Sequence, residues 1–397
     1  MMQDLPPAVL LGGGLRIGVS AARSLSENGI TVYALGFPHA PARYSRFCDH
    51  FVNLGSRKEE SSEVWLEWLA NDGPRGSVVL PCNDEGLELV AGHRGRLVEL
   101  GYHPVEANDE VVLAMLDKER TYALARELGV PAPLALSVRS TEDVERAASE
   151  MSYPCVLKPV HSHLFARHYG AWQKLLVART RQELLAHGAD ALAFGLEMLA
   201  MEIIPGGDER IFTYWTYLDA KGEPQCHFTK RRIRQYPARF GVGSYHITEW
   251  DPEVADAALR FLQGAGARGV AAVEFKRDAR DGVPKLMECN HRITGSVELG
   301  RAAGMDFTWL TYRGALGLSP PDLNGFREGV RLWLPGMDLR SYLDYRRADE
   351  LTTRQWLRSI LHRQHFPVFQ WSDPLPALIP FAYRVQRAIA RRLRDRF

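Results

Sequence analysis

The sequence predicts an α/β protein of more than one domain that begins with a parallel sheet covered by helices. Three observations indicate this class. Near the N-terminus a glycine-rich turn joins an apolar strand to a helix, and strands and helices then alternate. From residue 199 onward, apolar strands instead follow one another across turns such as PGGD. Alternation is typical of βαβ units, whereas the later pattern indicates a mixed or antiparallel sheet.

The overall composition of the chain argues against several classes of protein. With 397 residues, 46% hydrophobic and 24% charged, the chain resembles an ordinary globular protein. A formal net charge of +1 gives no reason to expect a nucleic acid partner. The five cysteines form no CxxC pair, which argues against a zinc or redox motif. No basic leader is visible and no apolar run reaches the roughly 18 residues of a membrane span, so we expect a cytoplasmic protein.

The first expected domain covers residues 1–106. Its stretch AVLLGGGLRIGVSAARSLSENGITVYALG indicates a strand, a glycine turn, a helix and a second strand, as in a Rossmann-like unit. A nicotinamide-dependent oxidoreductase is the alternative that these glycines suggest. Gly18, however, comes one residue late for the dinucleotide pattern, and the second strand ends without the acidic residue that a ribose would need. We expect the glycines to form a tight turn at a helix N-terminus, where a substrate anion could bind.

Three further segments follow. Residues 107–200 contain a helix pair that ends at Gly129 and then the short apolar strand of PCVLKPV. Residues 201–317 carry the strand-rich text, and residues 318–397, rich in Arg and Trp, are expected to be helical. Within them, residues 378–397 have apolar residues four apart and arginines elsewhere, which predicts a basic amphipathic helix. That helix either contacts an anionic membrane or a lipid-linked substrate, or packs on the chain or on a second subunit in a homodimer.

Candidate chemistry lies in KLMECNHR, the stretch that begins at residue 285. Alternate side chains of a strand share a face, so Glu288, Asn290 and Arg292 would point the same way. A hairpin through ARDGVP would bring Glu274 of the preceding strand next to Glu288. Two carboxylates and an amide oxygen suit Mg²⁺ that also binds phosphate, and Arg292 suits an anion held by the metal. The alternative is a polar strand that faces solvent.

Two lysines upstream fit the same site. Lys158 ends the apolar run of CVLKPV, an unusual place for an ammonium group unless it meets an anion. Lys118, in LDKER, is separated from it by a gap that would let both lysines reach one nucleotide from different elements of a small lobe. Each lysine alone could instead be a surface residue whose stem lies on apolar neighbours.

In their order and spacing these pieces resemble the ATP-grasp superfamily over roughly residues 8–316. The matching stretches are LGGGLRIG, DK followed by ELGVPAP, VLKP, MEIIPGGDER, TKRRIRQYP, and VEF with MECNHR. Within the superfamily the chain is most similar to the carboxylate-amine ligases grouped with D-aspartate ligase, through ARYSRFCDHFV and VLPCNDE. The resemblance implies an ATP-grasp fold with a substrate domain over 1–106, a small lobe over 107–200, a large lobe over 201–317 and a helical extension over 318–397.

The resemblance also implies roles for individual residues. The nucleotide would be bound at its phosphates by Lys118 and Lys158, at its adenine by Glu202 and the backbone of Ile203 and Ile204, and at its ribose by Asp208. Two Mg²⁺ ions, or Mn²⁺ in their place, would be held by Glu274, Glu288 and Asn290. The transferring phosphoryl group, or the oxyanion that follows, would be stabilised by Arg292 and Arg234.

The implied reaction is an ATP-dependent ligation. A carboxylate, expected to belong to an amino acid, would attack the γ-phosphate to give an acyl phosphate and ADP, and an amine would then displace phosphate. The expected partners are therefore a small-molecule carboxylate and an amine. Another ATP-grasp reaction, carboxylation or carboxylate phosphorylation, is one alternative, and a non-catalytic nucleotide-binding protein is the other.

One stretch departs from the family pattern. Many ATP-grasp proteins place a glycine-rich loop after the phosphate-binding lysine, whereas VHSHLFARHYGAWQKLLV contains Gly170 as its only glycine. Lys174 would then take over a phosphate contact from the far side of this loop. His161, His163 and His168 have an H-x-H-x4-H spacing, which suggests either a metal site or surface histidines in a loop.

Overall fold

The structure of the protein is a computed structural model that describes residues 5–55, 61–160, 165, 168–170, 173, 175–321, 323 and 325–394. Within this part, three sheets of five, four and six strands organise the chain. The first sheet is parallel and the other two are antiparallel, which confirms the predicted fold class.

The first sheet has the strand order β3-β2-β1-β4-β5. The elements of this part are β1 (Ala8–Leu11), α1 (Arg16–Glu27), β2 (Val32–Gly36), β3 (His50–Asn53), α2 (Ser62–Asn71), β4 (Val78–Pro81), α3 (Asp84–Gly92), α4 (Arg94–Glu99) and β5 (His103–Pro104). Strands β1 and β4 are buried at every position, as expected for a parallel sheet covered on both faces. They are parallel neighbours, so the N-termini of α1 and α3 lie at the same edge of the sheet.

The second sheet has the order β6-β9-β7-β8. Its strands, with the helices around them, are α5 (Asp109–Leu116), α6 (Lys118–Glu127), β6 (Ala135–Val138), α7 (Thr141–Glu150), β7 (Cys155–Pro159), β8 (Leu176–Ala178), α8 (Arg181–Ala193) and β9 (Met198–Glu202). Helix α6 begins at Lys118 because Asp117 caps it, accepting a hydrogen bond from the backbone N–H of Glu119 at 2.8 Å. Lys118 is thereby held at a helix start.

The third sheet has the order β14-β13-β10-β11-β12-β15. The elements of this part are β10 (Ile211–Leu218), β11 (Pro224–Tyr236), β12 (Val242–Thr248), α9 (Pro252–Gly264), β13 (Gly269–Arg277), β14 (Pro284–Asn290), α10 (Val297–Ala303), α11 (Phe307–Ala315), β15 (Arg331–Trp333), α12 (Pro335–Arg347), α13 (Thr353–Ile360) and α14 (Leu375–Arg394). One face packs on α9 through Phe261. The other face carries Trp215 and Phe228, which pack in the same hydrophobic core as the first sheet. The polar side chains of this face therefore point toward the N-terminal domain.

The C-terminal segment is not helical throughout, which differs from our prediction. Strand β15 pairs with Tyr245–Ile247 of β12, and the side chain of Leu332 is buried there. The short segment Arg331–Trp333, within an Arg-rich stretch, therefore forms the last strand at one edge of the third sheet. Helix α14 begins at Leu375, and residues 395–397 of the predicted amphipathic helix lie outside the described part. In the ranges given above, no helix is long and apolar enough to cross a membrane.

Two buried ion pairs fasten the C-terminal segment to the rest of the chain. Arg23 of α1 donates to the carboxylate of Asp373 at 2.9 and 3.0 Å. Arg234 of β11 donates to both carboxylate oxygens of Asp338, each at 2.8 Å. The segment is thus tied to the first domain at one point and to the third sheet at the other.

Candidate active site

Two carboxylates face each other at the edge of the third sheet. Glu274 of β13 and Glu288 of β14 are direct cross-strand partners. The pairing shifts next to them, so Met287 is an extra residue in β14, and its carbonyl accepts a hydrogen bond from Tyr122 at 2.8 Å. This bulge leaves the Glu288 side chain 48% exposed. Asn290 follows without a further shift and therefore lies on the same face as Glu288.

Two lysines from the second part of the chain approach these carboxylates. The Nζ atom of Lys118 lies 4.0 Å from Oε1 of Glu288. Lys158 lies near the end of β7, and its ammonium group has no hydrogen bond or ion pair within the described residues. Burial lowers the pKa of Lys158 and the charge of Lys118 lowers it further, whereas Glu288 and Glu274 act in the opposite direction. The two lysines and the two carboxylates form one electrostatic group.

A guanidinium that the sequence pattern did not single out contacts Glu274. Arg232 of β11 donates hydrogen bonds to Glu274 and to Gln235. The pairing of β11 with β12 shifts next to Arg232, so simple alternation does not tell which arginine of TKRRIRQ meets the carboxylates. The sequence indicated that this strand is rich in cations, but it did not indicate toward which face of the sheet each side chain points.

Arg292 lies in the bend just beyond the end of β14, so strand alternation does not by itself determine its direction. Its Nε atom donates to Oδ1 of Asp84 at 2.7 Å. Asp84 is the first residue of α3, at the edge of the first sheet where α1 also begins. The pair therefore connects the third sheet to the first domain beside the carboxylates.

A pocket lies between these groups. Its lining residues are Asp84, Met115, Leu116, Lys118, Thr121, Tyr122, Met287, Glu288, Cys289 and Asn290. Burial raises the pKa of Cys289 and, with the charges of Glu288 and Glu274 adding to it, the pKa of Tyr122. Neither the thiol nor the phenol is therefore ionised near neutral pH, and the reactive potential of the pocket lies in its carboxylates and cations.

The oxygen donors fit a hard divalent cation. Within the described residues, no group of three or more His, Cys, Asp or Glu side chains could hold a metal ion. Glu274, Glu288 and the amide of Asn290 nevertheless share one face, and Mg²⁺ binds through one or two carboxylates while phosphates and water complete its shell. Lys118 and Lys158 supply the nearby positive charge that such phosphates require.

The site residues that lie on the third sheet fall within a segment that matches a known family. The family described as "ATP-grasp in the biosynthetic pathway with Ter operon" matches residues 227–333, which include Glu274, Glu288 and Asn290. Over 330 residues the chain is 23% identical to D-aspartate ligase of Enterococcus faecium (strain Aus0004), which covers 78% of this chain and 77% of that ligase. The family match and this relative together support an ATP-grasp carboxylate-amine ligase.

Other ATP-grasp proteins are similar to this chain over part of its length. D-alanine–D-alanine ligase of Ectopseudomonas mendocina (strain ymp) is 26% identical over 211 residues, which are 49% of this chain and 63%, less than two thirds, of that ligase. The biotin carboxylase domain of the 2-oxoglutarate carboxylase of Hydrogenobacter thermophilus superposes with a TM-score of 0.65 at 19% identity, over 82% of this chain and 73% of that one. This last likeness shows the ATP-grasp fold. These relatives are ATP-grasp ligases, which indicates that the chain is an ADP-forming ligase, and ATP-grasp ligases in general use ATP and Mg²⁺.

The side chains of two further predicted residues, Arg234 and Asp208, are buried and held by hydrogen bonds within the protein. Arg234 is buried and held by Asp338, so its guanidinium is engaged away from the carboxylate pair. Asp208 is also buried, and its carboxylate accepts from the side chain of Gln235 at 2.7 Å and from the backbone N–H of Arg239 at 2.9 Å. Both oxygens of Asp208 accept hydrogen bonds within the protein, and its contact with a ribose stays a prediction.

The segment predicted to meet the adenine lies between the second and third sheets. Glu202 ends β9, and Ile203 and Ile204 follow it. The Glu202 carboxylate accepts from Arg280 and lies 3.8 Å from Nζ of Lys285. The contact of this segment with adenine stays a prediction.

The glycine-poor loop is described only in part. Lys174, His161 and His163 lie outside the described residues, so the predicted phosphate contact and the histidine spacing have no structural outcome. The Nε2 atom of His168 lies 3.8 Å from the carboxylate of Asp190, and its ring packs on Phe194. These contacts place His168 against α8 and the residue that follows it, away from the carboxylate pair.

Proposed function

We propose that this ATP-grasp ligase joins a small carboxylate, an amino acid, to an amine through an acyl-phosphate intermediate. The observation that carries the proposal is the pairing of Glu274 with Glu288 beside Lys118 and Lys158. Two carboxylates at this spacing repel each other unless cations neutralise them. A site that keeps such a pair next to two lysines is suited to a metal ion and a polyanion together.

Each group has a separate task in this proposal. Lys118 and Lys158 bind the phosphates of ATP. Glu274, Glu288 and Asn290 hold two Mg²⁺ ions, with Mn²⁺ as the alternative ion. When bound, the metal neutralises the phosphate oxygens and makes the γ-phosphoryl group more electrophilic.

The chemistry balances without a nucleophile from the protein. A carboxylate oxygen bonds to the γ-phosphorus while the bond from that phosphorus to the bridging oxygen breaks, which gives an acyl phosphate and ADP. The amine nitrogen then attacks the acyl carbon, the C–O bond to phosphate breaks, and the nitrogen loses a proton to solvent. Arg292, whose planar donors suit an oxyanion, stabilises the tetrahedral intermediate of the second step.

A screen for ADP release tests the proposal. Purified protein with ATP and Mg²⁺ is supplied with single amino acids, each with and without ammonia, hydroxylamine or a second amino acid, and products are identified by mass. We expect ADP release that requires one acid, and a product whose mass equals acid plus amine minus water. An acyl phosphate or a carboxylated acid, formed with no amine consumed, would instead assign the kinase or carboxylase alternative. No ADP with any acid would contradict the proposal.

We further propose that α14 contacts an anionic membrane surface. The side chains of Leu378, Phe381, Val385 and Ile389 are between 42% and 59% exposed, and Arg384 is exposed beside them. An apolar row flanked by arginines on a surface helix suits the boundary between lipid headgroups and acyl chains. A second subunit that covers this row, as in a homodimer, is the other outcome of the vesicle experiment given in the Discussion.

A further inference from the structure

A group of basic side chains lies on the same sheet face as the carboxylate pair. Lys230 of β11 and His246 of β12 are 4% and 6% exposed, and Nζ of Lys230 lies 3.4 Å from Nδ1 of His246. Arg232, 8% exposed, is the cross-strand partner of His246, and its Nε atom has no hydrogen-bond partner in the described part of the chain. Glu274 is the carboxylate whose charge acts on Lys230, and it is already paired with Arg232. Positive charge is therefore in excess.

The first domain adds another cation to this group. Arg16 is the first residue of α1, directly after the glycine-rich turn, and its charge acts on His246. Within the described residues the guanidinium of Arg16 makes no hydrogen bond or ion pair. Its guanidinium lies against Gly295, where an added Cβ atom would come within 2.6 Å of Nη2. The absence of a side chain at Gly295 leaves the space that the guanidinium occupies.

The position of Arg16 is electrostatically unfavourable by itself. A helix N-terminus carries a partial positive charge, and the first turn of α1 contains no acidic residue to offset it. The residue before it, Leu15, offers no side-chain cap to the free backbone N–H groups. Burial, with Arg232 adding to it and Glu274 opposing it, lowers the pKa of Lys230 to about 7. An anion between α1 and the third sheet would balance these charges.

We propose that Arg16, Lys230 and Arg232 form a subsite for a second anionic group of the carboxylate substrate. The inference rests on the proposed ligase function. Lys230 and Glu274 are both cross-strand partners of Thr213, so they stand in one row on the sheet, with Cα atoms about 10 Å apart. A short molecule can therefore present one carboxylate at the Glu274 and Glu288 end and a second anion to the cations.

The substrate class that fits is a short dianion, such as an amino dicarboxylic acid, rather than a monocarboxylic amino acid. Guanidinium and ammonium donors bind a carboxylate through charge-assisted hydrogen bonds, which are stronger than neutral ones. A monocarboxylic acid bound for reaction would leave Arg16 and Lys230 without an anion hydrogen-bonded to them, and that costs affinity. The γ-phosphate of ATP is the other anion with the right chemistry, and the experiment separates the two.

Steady-state kinetics on the full-length protein provides the first arm. KM is measured for D- and L-aspartate, for D- and L-alanine and for ATP in the wild type, Arg16→Gln and Lys230→Met. The matched control is Arg231→Gln, because Arg231 neighbours Lys230 in β11 but points to the opposite face and pairs with Glu249. Lys230→Arg retains the charge and serves if Lys230→Met does not fold.

We expect one aspartate enantiomer to have a KM about tenfold or more below that of alanine, equivalent to one good charge-assisted contact. Arg16→Gln and Lys230→Met should each raise the aspartate KM about tenfold, with the ATP KM changed less than about twofold. The Arg231→Gln variant should match the wild type. A parallel rise in the ATP KM would assign the cations to the nucleotide, and unchanged aspartate KM values would exclude the subsite; either result overturns the inference.

Calorimetry without ATP provides the second arm and does not need turnover. D- and L-aspartate, glutamate and succinate are titrated into the wild type and the same variants, with circular dichroism to establish that each variant is folded. We expect millimolar or tighter binding of at least one of these dianions, weakened about tenfold in Arg16→Gln. Absence of binding, or equal binding in all variants, overturns the subsite even if ADP forms. Dianion binding that depends on Arg16, without ADP formation from any acid, leaves the subsite standing and contradicts the ligase function.

Discussion

Glu274 and Glu288 lie directly opposite each other on β13 and β14, and each has a cation of its own. Arg232 pairs with Glu274, and Lys118 approaches Glu288 from the start of α6. Cross-strand like charges are destabilising in a sheet unless they are compensated. The arrangement therefore has a use beyond stability, and removing one carboxylate should affect the reaction more than the fold.

Glu288→Gln should lower the rate of ADP formation about a hundredfold or more, because it removes a proposed ligand and a negative charge from the metal site. The side chain is about half exposed, so we expect the thermal unfolding midpoint to stay close to that of the wild type. Glu249→Gln is the control, since Glu249 is a partly exposed carboxylate that pairs with Arg231. A Glu288→Gln variant that keeps more than about a tenth of the wild-type rate would contradict the assigned role.

The affinity for a dianion should depend on pH through Lys230. Burial, with Arg232 adding to it and Glu274 opposing it, lowers the pKa of Lys230 to about 7. The guanidinium of Arg16 and the imidazole of His246, whose own pKa lies well below its usual value, complete the surroundings. A bound anion favours the protonated amine and raises this pKa in the complex. The affinity for the dianion is thus highest below about pH 7 and falls above this pH, by at most about tenfold per pH unit.

Calorimetric titration of succinate between about pH 6 and 8.5 checks this dependence, because both succinate carboxylates are ionised above about pH 6.5. The Lys230→Met variant should bind more weakly and show a flat profile above that pH. A wild-type affinity that is constant from about pH 7 to 8.5 would show that Lys230 does not meet the anion.

Asp338→Ala should destabilise the protein by about 3–5 kcal/mol, because it leaves the buried charge of Arg234 without a partner. The carboxylate also accepts from the indole N–H groups of Trp333 and Trp356, each at 2.9 Å. Urea unfolding measures the free energy of unfolding. Asp344→Ala on the same helix, α12, is the control, since its pairing with an exposed arginine at 3.5 Å contributes about 0–1 kcal/mol. A loss below about 1 kcal/mol for Asp338→Ala would mean that the pair does not fasten the C-terminal segment.

Helix α14 should bind vesicles that contain anionic phospholipid, and salt should weaken that binding. Phe381→Asp combined with Ile389→Asp places charge on the apolar row and should reduce co-sedimentation about tenfold or more. Leu361→Asp is the control, because Leu361 is an exposed apolar residue outside α14. Dimerisation of the wild type that the double variant abolishes, with no vesicle binding, would identify a second subunit as the occupant of this face.

Local patterns were sufficient to predict the opening βαβ unit and the hairpin that sets Glu274 against Glu288, because strand alternation and turn residues determine both. They could not choose between Arg232 and Arg234. That choice depends on a shift in the pairing of β11 and on Asp338, which lies 104 residues further along the chain. The excess of charge around Arg16 was likewise invisible, since it arises only where α1 meets the third sheet.

Oxygen-18 labelling of the reacting carboxylate tests carboxylate activation by ATP most directly. The labelled acid is incubated with the protein, ATP, Mg²⁺ and the amine, and the inorganic phosphate is analysed by mass or by the isotope shift of its phosphorus resonance. An acyl phosphate carries one carboxylate oxygen to phosphorus, so we expect a single labelled oxygen in the released phosphate for each amide formed. Amide formation accompanied by unlabelled phosphate would contradict the proposed mechanism.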